Sequence, residues 1–145
     1  MIITEVKGDL FTVPKDYSLV HCISADFALG AGIAKEFAKR GVKDYLLHMY
    51  NYNTAQVGTC IVTFATGWEA EFNLVTKEKY WEKPSYEDLK RSLIYLTEMS
   101  SFSGRNKLAM PRIGCGLDKL EWCKVKSILE EVFANTNTEI LVCSI

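Results

Sequence analysis

Two side chains in this sequence have types and positions that suit nucleophilic and proton-transfer chemistry. Lys77 follows an apolar run, Phe72–Thr76, and Asp118 follows a segment with two glycines, Pro111–Leu117. A lysine that apolar neighbours shield from water can lose its proton and act as a nucleophile, and a nearby carboxylate can move protons. Each residue also has an ordinary interpretation. A lysine at a strand end commonly reaches solvent, and Asp118 with Glu121 matches the pattern of a helix-capping box.

Two glycine-bearing segments could bind phosphate through their backbone N–H groups. Residues 30–34, Gly-Ala-Gly-Ile-Ala, precede a helical pattern, and a helix N-terminus attracts anions. Gly114-Cys115-Gly116 could form a second anion-binding nest. Lys35 occupies the third glycine position of Gly-x-Gly-x-x-Gly, so the first segment is not the dinucleotide fingerprint, and a plain strand-to-helix turn is its alternative interpretation. Together the two segments predict a pyrophosphate held between them.

Apolar runs alternate with helical patterns along the chain, which predicts an α/β domain whose buried strands are covered on both faces. The predicted strands are Ile2–Val6, Ser18–Ile23, Thr59–Phe64, Phe72–Thr76, Lys107–Met110 and Glu139–Ile145. The predicted helices follow Gly32, cover Val42–Tyr50, begin after Ser85 and include Val125–Phe133. Ligands of such sheets bind beyond the carboxyl ends of the strands, where the candidate residues lie.

Composition narrows the class of protein. The 145 residues, 48% hydrophobic and 24% charged, predict one globular domain over residues 1–145 and exclude a disordered chain. The net charge of −1 disfavours a generic nucleic-acid or membrane-surface binder. Five scattered cysteines, without Cys-x-x-Cys spacing, predict reduced thiols and no metal site. We see no signal peptide and no membrane-spanning stretch, so we expect an intracellular protein.

The segments together resemble the macrodomain family, and within it the terminal ADP-ribose protein glycohydrolases. The resemblance runs from near residue 2 to Ile145, and its most specific part is the block Arg112–Asp118. The matching stretches are Val6–Phe11, His21–Ser24, Gly30–Ala34, Thr76–Lys77, Lys83–Glu87 and Met110–Asp118. Two features depart from the family pattern: Ala25 stands where relatives often carry an acid, and the segment Tyr50–Gly58 is a few residues longer.

The resemblance implies a fold and a ligand. The fold is a three-layer α/β/α macrodomain with a mixed, roughly six-stranded central sheet, and ADP-ribose lies in a cleft across the strand ends. Asp9, Leu10 and Ile145 are then expected at the adenine, and Ser24 near the ribose. The other residues expected to bind the ligand, around the phosphates and the distal ribose, are Gly30, Ala31, Gly32, Ile33, Arg112, Ile113, Gly114, Cys115, Gly116 and Leu117.

The resemblance also implies an activity. Lys77 stands where the family has its nucleophilic lysine, and Asp118 where it has its catalytic aspartate. The expected enzyme removes mono-ADP-ribose or terminal ADP-ribose from glutamate and aspartate side chains and deacylates O-acetyl-ADP-ribose. It needs no cofactor or metal, acts on ADP-ribosylated proteins as a monomer in the cytoplasm or nucleus, and contacts no membrane.

Three other functions stay open at this point. The same cleft without productive lysine geometry describes a non-catalytic module that only binds ADP-ribose. Related macrodomains act on ADP-ribosylated DNA bases, although the balanced charge of this chain disfavours nucleic acid. An ADP-ribose-1″-phosphate phosphatase is the third alternative.

Overall fold

Six strands and four α-helices alternate along the chain in a computed structural model that describes residues 1–145. The strands are β1 (Ile2–Lys7), β2 (Ser18–Ser24), β3 (Thr59–Thr63), β4 (Glu71–Lys77), β5 (Lys107–Met110) and β6 (Glu139–Ser144). The helices are α1 (Gly32–Lys39), α2 (Val42–Met49), α3 (Tyr86–Ser103) and α4 (Trp122–Phe133). None of these helices combines the length and the apolar character that crossing a bilayer requires.

All six strands form one mixed sheet in the order β1-β6-β5-β2-β4-β3. Every neighbouring pair is parallel except β3 with β4, which is antiparallel. The mixed, roughly six-stranded sheet that the family resemblance implies is therefore confirmed. Because β2, β4 and β5 are parallel neighbours at the centre of the sheet, their carboxyl ends meet at one edge.

Helices cover both faces of the sheet. Alternation along β2 sends Leu19 to the face beneath α1 and α2, where Phe37 and Leu46 pack. It sends Val20 to the opposite face, beneath α3 and α4, where Leu93 packs. Each face has its own buried hydrophobic cluster, so the domain has the three layers that the alternating pattern predicts.

Helix α3 shows how local sequence sets the bounds of an element. Ser85 is the N-cap, and its side chain accepts a hydrogen bond from the Asp88 N–H at 3.0 Å. Gly104 ends the helix in the left-handed conformation, with φ 72°. The strong cap fixes where the helix starts, which in turn fixes the loop that follows Lys77.

A short 3-10 turn, Leu10–Thr12, is an element that the sequence patterns did not predict. Asp9 holds it locally, since its carboxylate accepts from the Phe11 N–H at 2.9 Å and its carbonyl accepts from the Thr12 hydroxyl at 2.6 Å. Such side-chain-to-backbone bonds leave no periodic signal, because they involve only three or four residues.

A register shift between β2 and β4 places Lys77 at the functional edge of the sheet. Ile23 pairs with Val75, but the next residue, Ser24, pairs with Lys77, so one residue of β4 is skipped. The Ala25 N–H then donates to the Lys77 carbonyl at 2.8 Å. The end of β2 and the end of β4 are thereby tied together beside the Lys77 side chain.

Candidate active site

A cavity of about 670 Å³ opens at the carboxyl edge of the central strands. Its walls come from the ends of β2 and β4, the loop between β2 and α1, and the loop between β5 and α4. Twelve of the predicted site residues line it: Ser24, Gly30, Ala31, Gly32, Ile33, Lys77, Arg112, Ile113, Gly114, Gly116, Leu117 and Asp118. Residues from segments far apart in sequence are therefore brought together as the topology requires.

Four other predicted ligand-binding residues do not line this cavity. Leu10 is buried in the hydrophobic cluster under α1 and α2, Asp9 is exposed beside the 3-10 turn, and Ile145 is fully exposed. Cys115 packs against the other cluster, and its thiol donates to the Ile113 carbonyl at 3.3 Å. The placement of these residues at a bound ligand stays a prediction.

Lys77 and Asp118 form an ion pair in the wall of the cavity. The Lys77 Nζ donates to the Asp118 Oδ1 at 2.6 Å, and the two side chains are only 14% and 16% exposed. The pair joins the end of β4 to the loop before α4, across 41 residues of sequence. The interpretation of Lys77 as a lysine that simply extends into solvent is therefore wrong.

The helix-capping interpretation of Asp118 is wrong as well. Helix α4 begins at Trp122, its N-cap is Glu121, and no side chain caps it. Between Asp118 and the start of α4 the chain turns at Lys119, which has φ 61°. The Leu120 N–H closes this turn by donating to the Gly114 carbonyl at 2.8 Å. The turn directs Asp118 to Lys77 and away from the helix, so its carboxylate is available for chemistry.

Cys22 is a second possible nucleophile in the cavity wall. Burial, with a further contribution from the Asp118 carboxylate, raises the pKa of its thiol to about 12. The positive charge of Lys77 opposes this rise of the pKa without cancelling it. Because the thiolate is the reactive form of cysteine, the Cys22 thiol is a poor nucleophile near neutral pH.

The N-terminus of α1 offers unused hydrogen-bond donors to the cavity. Its N-cap, Ala31, has no side chain that could bind the free N–H groups of the first turn, in contrast to Ser85 in α3. Gly32, Ile33 and Ala34 carry these N–H groups, and all three line the cavity. An anion such as a phosphate suits this position, because the N–H groups and the helix dipole both favour negative charge.

The loop that precedes α1 is strained and tightly held. Phe27 and Leu29 have φ values of 56° and 41°, which residues other than glycine rarely adopt. The side chains of both residues are buried. Asp26 anchors the loop, since its Oδ1 accepts from the Ser24 hydroxyl at 2.5 Å and from the Ala28 N–H at 3.2 Å. Burial raises the pKa of Asp26, but the hydrogen bonds from Ser24, Ala28 and the Tyr80 N–H, together with the Lys79 charge, outweigh it, and the net pKa is lowered.

The two glycine-bearing loops approach each other over the cavity. A Cβ atom at Gly32 would lie 3.4 Å from the Leu117 Cδ1, and Gly32 has φ 58°. In the second loop Gly114 has φ 72°, and a Cβ there would lie 2.8 Å from the Leu120 Cδ1. Both glycines have a positive φ, which residues with a Cβ atom rarely adopt, so a substitution at either position would strain the loop.

Several cavity residues were not among the predicted site residues. They are Cys22, Ile23, Ala28, Leu29, Ala34, Tyr80, Lys83 and Pro111. Lys83 Nζ donates to the Leu117 carbonyl at 2.7 Å, and so links the loop after Lys77 to the loop that carries Asp118. Lys83 belongs to one of the stretches that carry the family resemblance, and that was the available signal for it.

The cavity holds no metal-binding arrangement. No group of three or more His, Cys, Asp or Glu side chains in residues 1–145 is placed to hold a metal ion. The polar groups of the cavity are the Lys77–Asp118 ion pair, the backbone N–H groups at the start of α1, Lys83, and the side chains of Ser24, Tyr80 and Arg112.

Comparison of the sequence with known families and proteins gives consistent results. A family model described as Macro domain matches residues 20–129. Proteins named ADP-ribose glycohydrolase OARD1, from Homo sapiens and from Bos taurus, are each 42% identical over 142 residues, which cover 97% of this chain and 90% of the relative.

Comparison of the structures supports the same fold. The macrodomain of Mycobacterium tuberculosis DarG superposes with a TM-score of 0.84 at 21% identity, covering 99% of this chain and 98% of that one. Thermosipho africanus DarTG in complex with ADP-ribose superposes with a TM-score of 0.79 at 16% identity, covering 99% of this chain and 42% of that one. At these identities the superpositions establish the fold and nothing further.

Proposed function

The chain belongs to the macrodomain family, and from this premise we propose that it hydrolyses the ester between ADP-ribose and a glutamate or aspartate side chain. The observation that carries the proposal is the shielded Lys77–Asp118 pair, 2.6 Å apart, in the wall of a cavity with a free helix N-terminus. The relatives at 42% identity, named ADP-ribose glycohydrolase, support the same reaction class. O-acetyl-ADP-ribose is a second proposed substrate, because it presents the same nucleotide with an ester.

The nucleotide is proposed to bind mainly through backbone groups. The pyrophosphate takes the N–H groups at the start of α1 and those of the loop around Gly114. The distal ribose then lies between these loops and the Lys77–Asp118 pair. Binding that depends on backbone N–H groups is insensitive to removal of the Lys77 side chain, which separates affinity from catalysis.

The reaction is proposed to begin with proton transfer inside the ion pair. The Lys77 ammonium gives a proton to Asp118, and the neutral amine attacks the anomeric carbon of the distal ribose. The bond from that carbon to the acceptor oxygen breaks, and its electron pair leaves with the acceptor carboxyl group, which receives the proton held by Asp118. The product of this half-reaction is ADP-ribose bound covalently to the Lys77 nitrogen.

Water completes the reaction. The Asp118 carboxylate takes a proton from a water molecule as the water oxygen attacks the anomeric carbon, and the carbon–nitrogen bond breaks. The Lys77 amine leaves with the bonding pair and recovers a proton from Asp118, which restores the starting ion pair. Overall one water is consumed, and free ADP-ribose and the acceptor carboxylic acid are formed.

The test compares wild type with Lys77→Ala on an acceptor protein esterified with ADP-ribose at glutamate. We expect wild type to release ADP-ribose and Lys77→Ala to release none above background, while calorimetry with ADP-ribose gives the same affinity for both. Lys90→Ala is the matched control, because Lys90 is also ion-paired, with Glu131, but lies on the outer surface of α3. Binding without turnover by wild type would instead identify a module that only binds ADP-ribose.

A further inference from the structure

A second cavity, of about 430 Å³, adjoins the first on the other side of the loop that follows Lys77. Lys77 and Lys83 line both cavities, so the reactive lysine stands where the two meet. ADP-ribose in the first cavity must point its ester bond at Lys77, and the chain attached to that ester must leave the first cavity beside the same residue. The second cavity is a recess next to Lys77 that could receive that chain.

The wall between the two cavities is held in place by three hydrogen bonds. The Lys79 N–H donates to the Glu82 Oε1 at 2.7 Å, and the Tyr80 N–H donates to the Asp26 Oδ2 at 3.1 Å. Lys83 Nζ donates to the Leu117 carbonyl at 2.7 Å. The bond to Glu82 fixes the turn within residues 78–83, and the bonds to Asp26 and Leu117 tie this segment to the two loops of the first cavity. The second cavity therefore exists before any acceptor binds.

The charge of the second cavity suits a polypeptide. Only one of its nine lining residues, Val57, is hydrophobic. Six are charged, with three of each sign: Lys77, Lys83, Arg91, Glu78, Glu82 and Asp88. A polypeptide backbone presents donors and acceptors in equal number, which this balanced lining can satisfy. A nucleic acid needs an excess of cations against its phosphates, and the cavity has none.

Arg91 is the cation of this cavity that neither takes part in the proposed reaction, as Lys77 does, nor links the loops of the first cavity, as Lys83 does. Its Nη1 donates to the Asp88 Oδ1 at 3.2 Å, and its guanidinium lies against Gly58, where a Cβ atom would be 3.0 Å from the Arg91 Cζ. A guanidinium carries five N–H donors, so the Asp88 contact leaves others free for carbonyl or carboxylate oxygens.

We propose that the second cavity binds the acceptor polypeptide on either side of the modified side chain, with Arg91 donating hydrogen bonds to its oxygen atoms. This inference rests on the proposed function and adds to it the substrate class and a residue that determines specificity. No bond is made or broken at Arg91. Its contribution is to place the acceptor so that the ester bond reaches Lys77.

The experiment uses two substrates with the same ester bond. One is ADP-ribose esterified to a single N-acetylated glutamate, and the other is ADP-ribose esterified to that glutamate within a short peptide. We expect wild type to have a higher kcat/KM on the peptide. Arg91→Ala should lower kcat/KM on the peptide about tenfold, mainly through KM, and change the single-residue substrate by less than twofold. Arg91→Lys should restore part of the loss, because lysine keeps a charged donor there.

Lys90→Ala is the matched control, since it removes a neighbouring cation of α3 that lines neither cavity, and it should leave both substrates unchanged. Equal wild-type kcat/KM on the two substrates, or an equal loss on both in Arg91→Ala, would overturn the inference while the proposed function stands. A preference for an ADP-ribosylated oligonucleotide over the peptide would also overturn it. Failure of wild type on every ester would refute the proposed function itself, which makes the two failures distinguishable.

Discussion

Two groups of polar side chains lie near the same sheet, and they differ in how completely their hydrogen bonds are satisfied. One is the Lys77–Asp118 pair, held by a single hydrogen bond at the cavity. The other, which we call the buried network, begins at the fully buried carboxylate of Glu71. That carboxylate accepts four hydrogen bonds, from the Thr63 hydroxyl, the Ala65 N–H, and both the N–H and hydroxyl of Thr66.

The buried network continues across the sheet to His21. Asn73 donates from its amide nitrogen to the Ile61 carbonyl and the Thr63 hydroxyl, so its oxygen faces His21 Nε2 at 2.6 Å. That oxygen can only accept, so His21 carries its proton on Nε2. The neutral imidazole stacks on Phe37 of α1, with ring centroids 3.7 Å apart.

The number of hydrogen bonds that each carboxylate accepts distinguishes a structural role from a chemical one. The Glu71 carboxylate accepts hydrogen bonds from four fixed donors, so its role is to hold the turn between β3 and β4. Asp118 has one partner and faces a cavity, so it can exchange that partner or accept a proton. In this molecule a charged group with few partners beside a cavity indicates chemistry, and a charged group with many partners away from it indicates architecture.

The largest expected effect comes from Asp118→Ala. We expect turnover of the glutamate ester to fall by about 10²–10⁴-fold, the usual contribution of acid–base catalysis. Both half-reactions lose their proton carrier, but a carboxylate leaves readily without being protonated, whereas water needs a base to attack the adduct. ADP-ribose should therefore remain on Lys77 and be visible as added mass on the intact protein. Any fall in the melting temperature should come from the Lys77 ammonium left without its partner and not from a lost helix cap, since Asp118 caps no helix. The double variant with Lys77→Ala should show no adduct, and full activity in Asp118→Ala would contradict the mechanism.

A second change tests the other side of the comparison. Glu71→Gln replaces a carboxylate that accepts four hydrogen bonds by an amide whose nitrogen faces donors, so we expect a loss of about 3 kcal/mol in the free energy of unfolding. Activity per folded molecule should be unchanged. Glu69→Gln is the control, because Glu69 is exposed and pairs weakly with Arg105 at 3.6 Å. Chemical denaturation measures both, and equal stability of the two variants would show that the network is not structural.

Acid should weaken the buried network through His21. Burial lowers the pKa of His21 to about 4 from its ordinary 6.5, although the Asn73 hydrogen bond partly opposes this. Between these two pKa values His21 binds a proton in the unfolded chain but not in the folded one. The contribution of His21 to the free energy of unfolding is therefore fully present above about pH 6.5 and is lost as the pH falls towards 4. The loss from this group is roughly 1.4 kcal/mol per pH unit and at most about 3 kcal/mol.

Denaturation curves between pH 7 and 4.5 would measure this slope. His48→Gln should keep the slope, because His48 is exposed. His21→Leu should lose the slope and be less stable than wild type at pH 7, since Asn73 then lacks its partner. An unchanged slope in His21→Leu would assign the acid sensitivity to other groups.

The smallest effect is expected at Cys22. Because its pKa is raised to about 12, iodoacetamide at pH 7.5 should label the exposed Cys123 and leave Cys22 unmodified. Cys22→Ala should retain turnover within a few-fold and lose about 1 kcal/mol of stability from the removed packing atom. Peptide mass spectrometry reads the labelling, and fast alkylation of Cys22 would mean that the site stabilises a thiolate.

The strands and helices of the domain could be predicted from the sequence. All six strands and four helices were predicted, because their periodic patterns and caps such as Ser85 are local signals. The family resemblance is confirmed by the comparisons, and the residues of both glycine-bearing loops line the cavity as predicted, except Cys115.

Features that depend on contacts between residues far apart in the sequence could not be predicted. Asp118-x-x-Glu121 is the same pattern whether its first carboxylate turns to a helix or to a lysine 41 residues away. Glu71 was left outside the predicted strand, because a carboxylate is buried only where several donors converge on it. The second cavity, including Arg91, is lined by residues from four separate segments of the chain. Nothing in the local sequence of any one segment indicates that they meet.

The position of β6 has a consequence for the order in which the chain folds. β1 touches the sheet only through β6, and their register pairs Ile2 with Glu139, near opposite ends of the sequence. Closing so long a loop is slow, and β1, whose residues are mostly exposed, gains little burial in return. The central strands that carry the active site can pair before this closure. We therefore expect β1 to join last and to detach first, so that its amides exchange with solvent while those of β2 and β4 remain protected.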